Sequence, residues 1–205
     1  PATVESVAVK DGDVDVANNY DVATADGSLK VTNRDAKYEV TLKANSSTGN
    51  VYDGTEKSAK GVVTDRFVID DVEYAVSGYE TQDPAEVAAG VYTNNVSGDF
   101  KVKDPAGNDV TSEFAVHTED GELEIAKRPV TVTAKGGEKQ DDGKPLTAAD
   151  TGYDIGGEGL VEGHEADVAL SGSQTAPGAS PATVESVAVK DGDVDVANNY
   201  DVATA

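Results

Sequence analysis

The side chains best spaced to do chemistry in this sequence are carboxylates. Asp11-Gly12-Asp13-Val14-Asp15-Val16, and its copy over Asp191 to Val196, place oxygen donors on alternate residues as a calcium loop does. The helix-loop-helix calcium loop also requires glycine at its sixth position and a bidentate glutamate at its twelfth. Those positions hold Val16 and Val22. A related stretch, Asp104-Pro105-Ala106-Gly107-Asn108-Asp109, keeps a turn and loses the alternation, so all three read as acidic hairpin turns. Calcium gripped by acids that meet at a junction between domains stays open as an alternative.

Other chemistry is weaker. Gly156-Gly157-Glu158-Gly159-Leu160-Val161-Glu162-Gly163 imitates a phosphate loop, but Glu162 stands where a glycine is needed and no Walker lysine follows; it reads as a flexible connection. The two histidines, His117 and His164, have neither a metal-ligand spacing nor matching positions and read as surface residues. Paired acids for glycoside hydrolysis would need aromatic cleft walls, and aromatics are 5% of the chain. Tyr20, Tyr200 and Phe114 sit in alternating strands as core anchors. Tyr74, Tyr79 and Tyr92, in a segment absent from the second module defined below, are the better candidates for a contact surface, although packing is the expectation there too. No catalytic, metal or cofactor residue is assigned, ligand-binding residues stay unassigned, and the chain is not expected to be an enzyme.

The elements that must position these residues come from a chain of 205 residues with a net charge of −23, 21 glycines and no Cys, Met or Trp. Such acidity repels phosphate backbones and anionic lipid, so no nucleic-acid partner is expected. There is no apolar run long enough to span a bilayer and no leader, so no membrane insertion is expected of this stretch. Without cysteine, disulfides and thiolate zinc sites are excluded. The missing initiator methionine indicates a piece of a longer chain.

Residues 1–25 and 181–205 are identical at every position, a period of 180 residues that indicates a tandem array. A weaker repeat lies inside it. Gly27-Ser28-Leu29-Lys30-Val31-Thr32-Asn33-Arg34 matches Gly121-Glu122-Leu123-Glu124-Ile125-Ala126-Lys127-Arg128. Val102 matches Val189, Phe114 matches Tyr200, Val40 to Ala44 match Val130 to Ala134, and Asp53-Gly54 match Asp142-Gly143. Two related modules therefore alternate: 1–34 is the C-terminal part of a preceding module B, 35–128 is module A, and 129–205 is module B without its last strand. Residues 1–25 are then expected to be loose or paired with a neighbouring chain, unless the true frame is circularly shifted.

Period-two alternation recurs, as in Leu29-Lys30-Val31, Val40-Thr41-Leu42, Leu123-Glu124-Ile125 and Val130-Thr131-Val132, with Asp-Gly and Gly-Asn turns between. The expected fold is all-β, in tandem small antiparallel β-sandwich modules of immunoglobulin-like type. The alternative is a β-grasp-like module with one short helix. Pro84 to Ala89 could wind one helical turn. Lys127-Arg128-Pro129 and Asn33-Arg34-Asp35 leave no flexible linker, so stiff junctions are expected.

Several strings, VYDGTEKSAKG, QDDGKPLTA, ANNYDV and GELEIAKRPVTVTAK, resemble the YDG- and MBG-type tandem repeats of very large bacterial surface adhesins. Asp141 departs from the pattern, standing where module A has Tyr52. The resemblance implies an extracellular protein attached to the cell wall or outer surface, whose modules form a stalk for cell adhesion. Its partners would be the neighbouring repeat modules, with a host glycan such as mucin or a host protein as ligand if the modules themselves bind in multivalent fashion. Stalk modules of this class can carry Lys-to-Asn amide crosslinks; the sequence singles out no residues for one.

Overall fold

A computed structural model describes residues 2–32 and 36–205. The junction Asn33-Arg34-Asp35 lies outside the described residues. At the N-terminal end a small hairpin pairs β1 (Lys10–Asp11) with β2 (Val14–Asp15), and one isolated bridge joins Ala2 to Gly27. Nearly every other residue of 2–32 is exposed.

Module A contributes β3 (Tyr38–Lys43), β4 (Ser47–Val51), β5 (Lys57–Ser58), β6 (Arg66–Ile69), β7 (Val72–Thr81), β8 (Ala85–Glu86), β9 (Gly90–Asn94), β10 (Val96–Lys103), β11 (Phe114–Glu119) and β12 (Gly121–Ala126). Its sheets run β10-β7-β6, β4-β12-β9, β11-β3 and β5-β8. Module B contributes β13 (Arg128–Ala134), β14 (Leu146–Thr147), the four-residue helix α1 (Ala148–Thr151), β15 (Tyr153–Gly157), β16 (His164–Ser171), β17 (Ser173–Gln174), β18 (Thr183–Asp191), β19 (Val194–Asp195) and β20 (Tyr200–Thr204), with sheets β15-β13-β20, β16-β18-β19 and β14-β17.

The fold is all-β and sandwich-type, as the alternation predicts. Antiparallel neighbours are joined by parallel ones: β3 with β11, β4 with β12 and β13 with β20. These partners are far apart in sequence, which leaves the chain room for the crossover a parallel pair requires. Pro84 to Ala89 does not wind a turn of helix. Ala85–Glu86 pair with Lys57–Ser58, and the Ala59 N–H donates to the Pro84 carbonyl, so the segment is held extended by a neighbour. Module A has no α-helix among its described residues and module B has only α1, which leaves the β-grasp alternative unsupported.

Alternation fixes which side chains go inward. Val40, Leu42 and Ala44 of β3 pack with Val76, Val96, Val102 and Phe114 in one buried cluster. A second cluster crosses the module boundary, combining Tyr52, Ala59, Leu123 and Ile125 with Val130, Val132, Val189 and Tyr200. Only Lys127 separates β12 from β13, so one strand runs almost directly into the next. Asn94, the one polar side chain that is fully buried among the described residues, accepts from the Asp83 N–H at 3.0 Å and donates to the carbonyls of Asn45 (3.0 Å) and Gly61 (3.4 Å). Among the described residues no helix is long and apolar enough to cross a membrane.

Candidate functional site

The densest constellation of polar and aromatic groups lies where the modules meet, and it is built around the turn Tyr52-Asp53-Gly54. Asp53 folds the turn back on itself. Its carboxylate accepts from Lys57 Nζ at 2.6 Å and from the Thr55 hydroxyl and N–H at 2.6 and 2.9 Å, which holds the carboxyl far below the usual range. Gly54 has φ of 78°, and a Cβ there would lie 2.9 Å from Val161 Cγ1 of module B. Glycine therefore serves both the left-handed turn and the approach of the neighbouring module.

The turn delivers the Tyr52 ring to Tyr200, edge-on at 5.6 Å between centroids, and to His164 at 6.1 Å. Burial, with the neighbouring Tyr200 second, pushes the Tyr52 hydroxyl above its ordinary value of 10.0. The Tyr200 hydroxyl accepts from the Val161 N–H at 3.1 Å and lies 2.7 Å from His164 Nδ1. Arg128 fastens the opposite side, donating from Nε to the Gly159 carbonyl at 2.7 Å, from one terminal nitrogen to the Glu158 carbonyl at 2.5 Å, and from the other to the Tyr52 carbonyl at 3.5 Å. The Ala89 N–H donates across the boundary to Asn199 Oδ1 at 2.8 Å. A guanidinium fork and a hydroxyl capped by a backbone N–H hold geometry, and the arrangement is a lock between two β modules.

The residues singled out by spacing take up quieter roles. Asp11 to Val16 and Asp191 to Val196 form matching hairpin turns, and Asp15 and Asp195 each accept from the N–H two residues on, at 2.9 Å. Asp104 accepts from Asn108, and Asp109 from the Thr111 N–H. No three His, Asp or Glu side chains converge as a metal site would require among the described residues. Gly156 to Gly163 is not a flexible connection: its first two residues end β15, and Glu158, Gly159 and Val161 are held in the junction by Arg128 and Tyr200.

His117 is exposed and pairs with Glu39, as a surface histidine does. His164 is instead buried in the junction, because Tyr52 and Tyr200 close over it. Tyr74, Tyr79 and Tyr92 are half-buried. Tyr74 packs against Phe114 with ring centroids 4.9 Å apart and planes tilted by 59°, the Tyr79 hydroxyl faces Asp65, and the Tyr92 hydroxyl donates to the Ala88 carbonyl. Nor does module B lack the first of these segments: β16 pairs with β18 as β7 pairs with β10. The key residues that spacing alone missed are Tyr52 and Arg128. The Tyr-Asp-Gly triplet, present in module A and altered in module B, was the available signal. Searches with family models, among curated proteins and among solved structures find no match to this chain.

Proposed function

We propose that this chain is a non-catalytic spacer: two alternating all-β modules, repeated in tandem as the stalk of a bacterial cell-surface adhesin that projects a distal binding domain. The observation that carries the reading is the locked junction. A buried cluster runs through the boundary, a single residue links the flanking strands, and Arg128 and Tyr52 bolt the two sides together. A tandem array of 180-residue periods with such junctions yields length as its output. The net charge of −23 keeps the array solvated and discourages side-by-side packing.

Small-angle X-ray scattering on chains of one, two and three periods tests this. A maximum dimension that grows by a constant increment per period is the expected result. Growth as the square root of copy number would mean flexing junctions and would overturn the spacer in favour of a multivalent binding surface.

A further inference from the structure

Module B receives Tyr52 against the rings of His164 and Tyr200, and module A has a counterpart of that receiving end. Phe114 stands opposite Tyr38 across the parallel pair of β11 and β3 as Tyr200 stands opposite Arg128 across β20 and β13, so Tyr38 takes the place of Arg128. Val76 pairs with Val102 as Ala166 pairs with Val189. Two residues earlier on the same strands, Tyr74 takes the place of His164. Module A thus answers the pair His164 and Tyr200 with Tyr74 and Phe114, whose ring centroids are 4.9 Å apart.

The difference lies in what closes each pair. Against His164 and Tyr200 the third ring is Tyr52, brought from the neighbouring module, at 6.1 and 5.6 Å. Against Tyr74 and Phe114 the third ring is Tyr38, from the first strand of the same module, at 6.4 and 5.3 Å. The Tyr38 hydroxyl donates to Asp70 at 3.1 Å. Tyr38, Asp70, Tyr74 and Phe114 all belong to module A, which therefore closes its own aromatic site without a neighbour.

The rims differ as well. Gly54 approaches Val161, which lies three residues before His164; three residues before Tyr74 stands Asp71, beside Asp70 in the turn between β6 and β7. An apolar contact in module B is thus a pair of acids in module A. The turn of module B that corresponds to Tyr52-Asp53-Gly54 carries Asp141 in the place of Tyr52. Asp142 is paired with Lys139 as Asp53 is with Lys57, so Asp141 is the added charge. Such a turn offers no ring to an aromatic site and would bring a carboxylate to carboxylates.

We propose that the Tyr52 turn is a recognition element selective for module B. Its ring enters the site formed by His164 and Tyr200 with Gly54 against Val161. The equivalent end of module A, closed by Tyr38 and edged by Asp70 and Asp71, accepts neither this turn nor the turn that carries Asp141. The order in which a module A locks onto a module B is then encoded in these side chains, by an attractive fit on one end and a filled, charged one on the other. The inference concerns which module ends fit each other and does not depend on the spacer reading.

Grafting residues of module A onto module B in the full 205-residue chain tests it. In the double variant Arg128→Tyr, Val161→Asp, the ring introduced at position 128 is expected to show nuclear Overhauser contacts to the rings of His164 and Tyr200, and Tyr52 to lose its own. Arg128→Lys, which loosens the junction without supplying a ring, is expected to keep Tyr52 as the aromatic neighbour of both. Val161→Asp alone is expected to weaken the Tyr52 contacts and Val161→Asn to retain them, with module B folded in each, as a dispersed amide spectrum reports. Tyr52 contacts that persist in the double variant, or that vanish without replacement by the new ring, would overturn the proposal. Should the double variant not fold, the pair at position 161 decides: equal effects of Val161→Asp and Val161→Asn would overturn the selectivity of the rim.

Discussion

Tyr20 and Tyr200 hold the same place in an identical 25-residue sequence, yet Tyr20 is 60% exposed and Tyr200 3%. What the two copies share is local: the hairpin turn, Lys10 opposite Asp15 and Lys190 opposite Asp195, and the short 3-10 turns Ala17–Asn19 and Ala197–Asn199. They differ in everything that needs a distant partner. Thr183–Asp191 becomes a strand against β16, and Tyr200–Thr204 a strand against β13. Their N-terminal copies have no such partners among the described residues.

A paired substitution follows. Tyr200→Ala removes a buried ring and its hydroxyl contacts and is expected to cost about 3–5 kcal/mol, enough to loosen or unfold module B. Tyr20→Ala is expected to change stability by less than about 0.5 kcal/mol. Urea unfolding followed by tyrosine fluorescence measures both.

Asn94→Leu keeps volume and removes the partner of three backbone groups. The Asp83 N–H and the carbonyls of Asn45 and Gly61 would be left without it in the interior of module A. The expected loss is about 3 kcal/mol, read as a lower denaturant midpoint.

Acid should act through the turns. The carboxyls of Asp53, Asp83, Asp104, Asp109, Asp142 and Asp150 all lie below 3.8 in the fold, held there first by side-chain hydrogen bonds from Lys57, Thr81, Asn108, Thr111, Lys139 and Thr147 respectively. A depressed folded value means stability that is present above the unfolded value and lost as pH falls below it. The thermal midpoint is therefore expected to drop between about pH 4 and pH 2. Asp53→Asn should lower the midpoint at pH 7 and flatten the acid limb.

Arg128→Lys preserves charge and abolishes the fork that reaches the Gly159, Glu158 and Tyr52 carbonyls. Module A should keep its midpoint while the junction loosens. The readout is residual dipolar couplings: one alignment tensor describes both modules in the parent chain, and two are expected in the variant.

Much of the fold was legible because burial on one face of a strand writes itself as alternation. Leu123-Glu124-Ile125 and Val130-Thr131-Val132 show inward residues as apolar and outward ones as polar, and the structure buries the former. The internal match of Phe114 to Tyr200 foretold equivalent strands with equivalent registers. Strand direction was not legible, since a parallel pair and an antiparallel pair ask for the same alternation. Nor was the fate of His164, because its burial depends on Tyr52, more than a hundred residues away. Pro84 to Ala89 misled for a related reason: its alanines favour a helix only when no neighbouring edge offers hydrogen bonds.

The parallel pairing of β13 with β20 has a mechanical consequence. Tension applied at Arg128 and at Thr204 pulls two parallel neighbours in opposite directions along their own length. The rungs from Arg128 opposite Tyr200 to Val132 opposite Thr204 are then loaded together in shear, where an antiparallel pair pulled at its open end would unzip one rung at a time.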